Sequence, residues 1–334
     1  MRILFVGVFD TSRSSHHPML REFRNAGNDV DVFSYREEEV SRRRFTKSEY
    51  TLQRWLRKPR MPLWIAKRYF RLPGIRSMNA ELIRRVESGS YDLMFMAKAE
   101  RVDYHNIELF NRHTRTWYYF MDPLAIARTM HAAEYAARST YSSASRKNVA
   151  DLFSAAGGSA ILLTQGTDLE YYYPDGRTEK EYDIVFVGRL KEHRPALLAS
   201  LHRAGIEVTT FGPDGENPAV YNEELGSIYR KSRIILALNS APSSTGFSRR
   251  LFQAMGTGSM VLAEYCSDLE LFFKNGRDLV WFTTPEECAE LIQTFLADKD
   301  RREKIAETGS ETVRNNYTWK HIIGRILEKA ECEI

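Results

Sequence analysis

Cysteine is scarce in this 334-residue chain, which holds three: Cys266, Cys288 and Cys332. They form no C-x-x-C pair and no His/Cys cluster at zinc-like spacing, so neither a disulfide framework nor a metal site is expected, and a reducing cytoplasm is the simplest setting. Long apolar runs are also missing. Nothing approaches the roughly 20 residues needed to span a bilayer. The apolar opening, Ile3 to Phe9, is broken by Asp10 too soon for a signal peptide and reads as a buried first strand. Nor is there a large excess of one charge: a net +4 names no partner by itself, although the excess sits in the first half. The first strand also lacks a G-x-G-x-x-G turn, Gly7 standing alone after it, which disfavours a NAD-linked dehydrogenase. What is present is a globular composition, 43% hydrophobic and 28% charged, that argues against membrane residence and disorder.

The length exceeds one ordinary hydrophobic core, so two domains of about 150 residues are expected. Along the chain, the apolar run Arg2 to Phe9, a helical stretch Pro18 to Ala26, Gly27 as a helix C-cap and a second β-rich run Val30 to Tyr35 make the β-α-β opening of a doubly wound sheet. Arg36 to Val86 is helical in flavour. Tyr91 to Ala97, Thr116 to Phe120 and Ala160 to Leu163 read as strands, with one or two helices over Ala132 to Phe153. A second βα series starts at Asp183. Its strands are Ile184 to Val187, Glu207 to Phe211, Ile234 to Leu238 and Met260 to Ala263. Its helices are Ala196 to Ala204, Leu225 to Lys231, Arg249 to Met255, Glu286 to Ala297 and Arg301 to Asn315. Two such series joined by the polar stretch Tyr171 to Tyr182 predict an α/β protein of two Rossmann-like, doubly wound parallel-sheet domains rather than one barrel.

In open α/β sheets ligands sit beyond the carboxyl ends of the strands, where helix N-termini favour anions. Arg189 and Arg194 follow the first strand of the second series at such an edge, spaced to put two guanidiniums on one phosphate group. The plainer alternative is a pair of surface arginines at a helix start. Further on, Gly246 and Phe247 precede a helix, and Gly246 lets backbone N–H groups approach an oxygen ligand. Arg249 or Arg250 adds a third cation.

The run Gly188-Arg189-Leu190 with Arg194, then Leu238-Asn239, then Arg249-Arg250-Leu251-Phe252-Gln253-Ala254-Met255-Gly256-Thr257-Gly258, then Asp268-Leu269-Glu270-Leu271-Phe272 resembles the glycosyltransferases of GT-B architecture. More narrowly it resembles the group-1-type C-terminal domain of spore-maturation (CgeB-like) glycosyltransferases, from about Asp183 to Leu327. The resemblance implies an acceptor-binding domain over 1–170, a nucleotide-sugar-binding domain over 171–317, an intervening cleft, and a C-terminal helix over 318–334 crossing back to the first domain. It implies that Arg189 and Arg194 neutralise a donor diphosphate, whose charge grows as the sugar bond breaks. No D-x-D motif stands near a strand end, so arginines rather than a metal are expected to do this. There is then no cofactor, only a nucleotide-diphosphate sugar as co-substrate, with a UDP-sugar favoured. Gln253 stands where the family usually has the Glu that binds both ribose hydroxyls, and Gln accepts only through its carbonyl oxygen. Asn239 and Glu270 complete the expected nucleoside contacts.

On the acceptor side, His16 and His17 in the turn after the first strand, Asp122 before Pro123, and Asp10 are candidates to take the acceptor proton, the histidines because imidazole titrates near neutrality. A helix-capping role for the histidines and an Asx turn at Asp122 are equally open. If configuration is retained, the leaving phosphate takes the proton and no protein base is required. The basic, aromatic stretch with Arg42, Arg43, Arg44, Arg57 and Lys58 suits an anionic acceptor such as a modified base in DNA, or a cell-surface or spore polymer or lipid, or else is an ordinary solvated face. The rivals are a sugar-nucleotide epimerase and a non-catalytic nucleic-acid-binding protein on a degenerate transferase fold. Oligomeric state is not readable from the sequence.

Overall fold

The structure, a computed structural model, describes residues 1–11, 14–36, 67–176, 178–239 and 245–332. Arg42, Arg43, Arg44, Arg57 and Lys58 lie outside the described residues. The chain divides into two compact units, Met1–Thr164 with Ile323–Ile334, and Gln165–Ile322. No helix among the described residues is long and apolar enough to cross a membrane.

The first unit contains β1 (Arg2–Gly7), α1 (His16–Asn25), β2 (Asp29–Ser34), α2 (Pro73–Gly89), β3 (Leu93–Ala97), β4 (Arg115–Phe120), α3 (Leu124–Thr129), α4 (Ala132–Arg138), β5 (Tyr141–Ala144), α5 (Lys147–Ala155) and β6 (Ala160–Leu162). Its six strands form one parallel sheet in the order β2-β1-β3-β4-β5-β6. A sheet covered on both faces needs apolar residues at every strand position, and β1, β3 and β4 supply them. The period of two then sorts them. Leu4, Val6, Met94, Met96, Tyr118 and Phe120 join one core cluster, while Phe5, Phe23 and Phe95 pack edge to face on the other side of the sheet.

The second unit contains β7 (Tyr182–Val187), α6 (Arg194–Arg203), β8 (Thr209–Phe211), α7 (Asn222–Arg230), β9 (Ser232–Ala237), α8 (Arg250–Gly256), β10 (Met260–Glu264), β11 (Val280–Phe282), α9 (Pro285–Ala297) and α10 (Lys299–Asn316). α11 (Trp319–Glu331) is shared, since the unit boundary falls at Ile323. The sheet is again parallel, in the order β11-β10-β9-β7-β8. Val185, Val187, Ile235 and Val261 face one core, and Ile184, Phe186, Ile234, Leu236 and Leu262 face another. α9 starts at a reciprocal cap: Thr284 Oγ1 accepts the Glu287 N–H at 3.1 Å, and Glu287 Oε2 accepts the Thr283 N–H at 2.7 Å.

Two strands differ from the sequence reading. Tyr141–Ala144 and Val280–Phe282 are strands where none is expected, the first inside a stretch read as helical. Tyr-Ser-Ser-Ala carries little β signal, and Ser142 and Ser143 are fully buried because the parallel sheet satisfies their backbone. α1 also begins at His16, two residues before Pro18, so the two histidines open the helix instead of preceding it.

Candidate functional site

Each sheet has one switch point, where chain order reverses and a crevice opens beyond the strand ends. In the second unit it lies between β7 and β9. β7 leads into Gly188, which approaches Gly212 so closely that a Cβ on Gly212 would stand 2.0 Å from the Gly188 carbonyl oxygen. On the other side of Gly188 lies Arg250, the first residue of α8, its Nη1 3.3 Å from where a Gly188 Cβ would be. A side chain there would crowd the guanidinium, so the glycine lets Arg250 lie against the end of β7.

Arg194, the first residue of α6, is half-buried over the Phe186 ring at 5.4 Å. Its guanidinium donates to three carbonyls: Nε to Asn239 at 2.9 Å, Nη2 to Leu238 at 3.0 Å and Nη1 to Arg189 at 2.9 Å. Those bonds use three of its five N–H groups and tie the ends of β7 and β9 together. Burial, and then the nearby charge of Arg250, lower the pKa of Arg194, with Glu264 working the other way. Among the described residues neither Arg189 nor Arg250 has a carboxylate partner, and both are exposed. The Arg194 and Arg250 charges therefore repel each other at this edge, and Glu264 offsets the charge of Arg194 in part.

Behind them stands a pair that the sequence reading missed. His193 Nε2 lies 2.8 and 2.9 Å from the two oxygens of Glu264, the last residue of β10. Glu264 also accepts the Asn239 N–H at 2.7 Å. The Asn239 side-chain amide donates to the carbonyls of Glu264 and Tyr265 at 3.1 and 3.0 Å. Asn239, expected to contact a nucleoside, thus spends both amide protons inside the protein and acts as a clamp on β9 and β10. The available signal was a carboxylate ending a buried strand at the ligand edge.

Gln253 is 6% exposed on α8 rather than turned to solvent, and its side chain makes no hydrogen bond among the described residues. Its amide is left for a ligand hydroxyl. Gly246 is buried. The Phe247 ring packs on Phe252, Phe272 and Phe273, so only its backbone is left for an anion. Arg249 is the N-cap residue of α8. Glu270 is exposed and accepts a hydrogen bond from the Tyr265 hydroxyl at 2.9 Å.

In the first unit, the histidine next to β1 is held by the backbone. His16 is 6% exposed and its Nδ1 accepts the Val8 N–H at 2.7 Å. Nδ1 cannot then take an acceptor proton, and the neutral ring carries its own proton on Nε2. The Nδ1 of His16, expected as a candidate base, is thus engaged by the backbone. Gly7 makes the arrangement possible, since a Cβ there would sit 2.7 Å from Nδ1. His17 donates from Nε2 to the Thr11 carbonyl at 2.9 Å, because a carbonyl only accepts, and this leaves Nδ1 as its acceptor. Asp122 is ion-paired, the Lys98 ammonium standing 2.6 Å from its Oδ2. Asp10 is exposed.

Residues 192–328 match the family described as "Glycosyl transferase-like". Among solved structures the chain is similar to a sucrose-phosphate synthase from Thermosynechococcus elongatus, at 14% identity and a TM-score of 0.71 with all of both chains covered. It is similar to HepE of Anabaena in complex with UDP-glucose, at 14% identity and a TM-score of 0.69, covering 99% of this chain and 100% of that one. It is also similar to the lipopolysaccharide outer core galactosyltransferase WaaB, at 14% identity and a TM-score of 0.63 with all of both chains covered. No curated protein matches the sequence. At these identities the likeness is one of fold: two Rossmann-like parallel-sheet domains, as in the GT-B glycosyltransferases.

Proposed function

We propose that this protein is a metal-independent glycosyltransferase whose second unit binds a nucleotide-diphosphate sugar, with UDP as the nucleotide, in the manner of the group-1-type and CgeB-like enzymes. The observation that carries the reading is the pair of half-buried Arg194 and exposed Arg250 at the β7–β9 switch point, with exposed Arg189 just past β7. Cations held close enough to repel favour an incoming dianion, and a diphosphate supplies it. The "Glycosyl transferase-like" match over residues 192–328 covers Arg194, Arg250 and the end of β9, and the similar HepE structure is a complex with UDP-glucose. The buried amide of Gln253 serves the ribose through its carbonyl oxygen.

In the transfer, the bond between the sugar C1 and the β-phosphate oxygen breaks and C1 bonds to the acceptor hydroxyl oxygen. The acceptor proton leaves to a carboxylate, to His17 Nδ1 or to the departing phosphate. Negative charge grows on the diphosphate as its bond to the sugar lengthens, and fixed guanidiniums aimed at it lower the barrier without reorganising. Arg194 is best suited to that task because its carbonyl bonds fix it in place. The acceptor is held by the first unit.

Calorimetric titration with UDP, together with turnover of a panel of UDP-sugars in the presence of acceptor mixtures, tests the reading. UDP binding that drops at least tenfold in both Arg189→Ala and Arg250→Ala is expected. No binding of UDP, GDP, dTDP or CDP at millimolar concentration overturns the assignment. Interconversion of free UDP-sugars without transfer identifies an epimerase instead.

A further inference from the structure

The first unit has its own switch point, between β1 and β3, and the side chains beyond those strand ends form a polar network that the donor site does not use. Arg36, just past β2, donates to Glu100 Oε1 from Nε at 3.2 Å and from Nη2 at 2.5 Å. Lys98, just past β3, stands 3.6 Å from Glu100 Oε2 and 2.6 Å from Asp122 Oδ2, beyond β4. Burial opposes the charge on Arg36, but Glu100, with Tyr35 and Asp10 adding their fields, holds its pKa above the ordinary arginine value. Cation and carboxylate thus alternate beyond the ends of three strands, β2, β3 and β4.

Two features mark this edge as more than a surface ion-pair chain. Lys98 and Ala99 both take left-handed backbone angles, φ 63° and 50°, which non-glycine residues adopt at a cost and which aim consecutive side chains where an ordinary strand exit would not. Polar atoms are also left over. Tyr118 is 0% exposed, its hydroxyl has no hydrogen-bond partner among the described residues, and the charges of Asp122 and Glu100 reach it. Asp122 Oδ2 is buried and near Lys98 but lacks the alignment of a hydrogen bond. A buried hydroxyl or carboxylate oxygen without a hydrogen bond is costly, and a ligand hydroxyl can satisfy both.

From this network we infer that the carboxyl edge of the first sheet, built from Arg36, Lys98, Glu100, Asp122 and the Tyr118 hydroxyl, is a binding site for a neutral polyhydroxylated acceptor, a saccharide. The chemistry selects the class. A sugar hydroxyl both donates and accepts, so it can bridge a carboxylate and a neighbouring ammonium without displacing either. A phosphate or sulfate only accepts, and it would have to pull Lys98 from two carboxylates and Arg36 from a third. The partly exposed Lys98 and Asp122 side chains, at 28% and 34%, give solvent-side access to the buried Glu100. The inference takes glycosyl transfer as the frame but rests on the first unit alone.

The test is retention of the full-length protein on an array of immobilised neutral oligosaccharides, with sialylated and sulfated oligosaccharides and duplex DNA on the same surface, alongside calorimetry with UDP. Neutral glycans are expected to retain the native protein. Asp122→Asn and Tyr118→Phe should each weaken that retention at least tenfold while UDP affinity stays within twofold. Tyr118→Phe removes a hydroxyl that no group among the described residues uses, so its melting temperature should not fall, and it keeps the test valid if Asp122→Asn is poorly folded. Retention on DNA or sulfated glycans in preference to neutral ones overturns the inference, as does retention indifferent to both substitutions or the absence of any glycan retention. Saccharide binding that depends on Asp122 in a protein that ignores UDP would leave this site standing and remove the donor reading.

Discussion

Replacing Arg250 by alanine separates a ligand-binding cation from a structural one. Arg250 lies against Gly188, has no counter-ion among the described residues, and its charge helps lower the pKa of half-buried Arg194. A hydrogen bond to a charged group contributes about 1.5–3 kcal/mol. Arg250 is exposed, so the lower end applies and the variant should lose about 1.5 kcal/mol of UDP affinity, or roughly tenfold in Kd. The unliganded protein should melt at the same temperature or slightly higher, because a like-charge repulsion with Arg194 is removed. Raising ionic strength from 0.1 to 1 M shortens the screening length from about 10 to about 3 Å, and this should cost the native protein more affinity than the variant. Isothermal titration calorimetry at the two salt levels, with a thermal melt of the unliganded forms, measures all three. A Kd within twofold of native, or a drop in melting temperature without ligand, would refute the argument that these cations are held for an anion.

Further outcomes follow from other parts of the structure. Gly212→Ala places a Cβ 2.0 Å from the Gly188 carbonyl oxygen, a backbone atom that cannot rotate away, so urea unfolding should show a loss of about 1–3 kcal/mol together with weaker UDP binding. Thr284→Ala removes the α9 cap and should cost about 1 kcal/mol in the same assay without touching UDP affinity. His131 has its pKa lowered from 6.5, chiefly by burial. Below pH 6.5 the unfolded chain therefore binds a proton that the folded chain refuses, and stability from this group falls as pH drops from 6.5 towards the folded pKa. His131→Asn, which tolerates the φ of 53° at that position, should flatten that slope in melts between pH 7.5 and pH 5.

The two-series α/β architecture was legible because buried parallel strands write themselves as unbroken apolar runs. Ile3 to Val6, Leu93 to Ala97, Ile184 to Val187 and Met260 to Ala263 could be assigned from composition alone. The position of Arg189 and Arg194 just beyond β7 was legible for a related reason, since the end of the apolar run at Val187 marks where the strand stops. The short strand Tyr141–Ala144 was not, because Ser142 and Ser143 are buried by their neighbours in the sheet and carry no hydrophobic signal. The clamp made by Asn239 was not legible, because its amide reaches the carbonyls of Glu264 and Tyr265, some 25 residues later, and no local spacing shows that reach.

By itself the sequence determined the number and kind of layers, the strand ends, and the arginines that follow one of them, because each follows from local periodicity and the polarity of the chain. Only the tertiary structure decided which polar groups are spent and which are left over. His16 gives Nδ1 to the backbone, Arg194 gives three N–H groups to carbonyls, and Lys98 gives its charge to Glu100 and Asp122, whereas Arg250 and the Tyr118 hydroxyl find no partner among the described residues. Hydrogen bonds and ion pairs are made between residues distant in sequence but close in space, so the count of satisfied and unsatisfied groups exists only once the chain has folded.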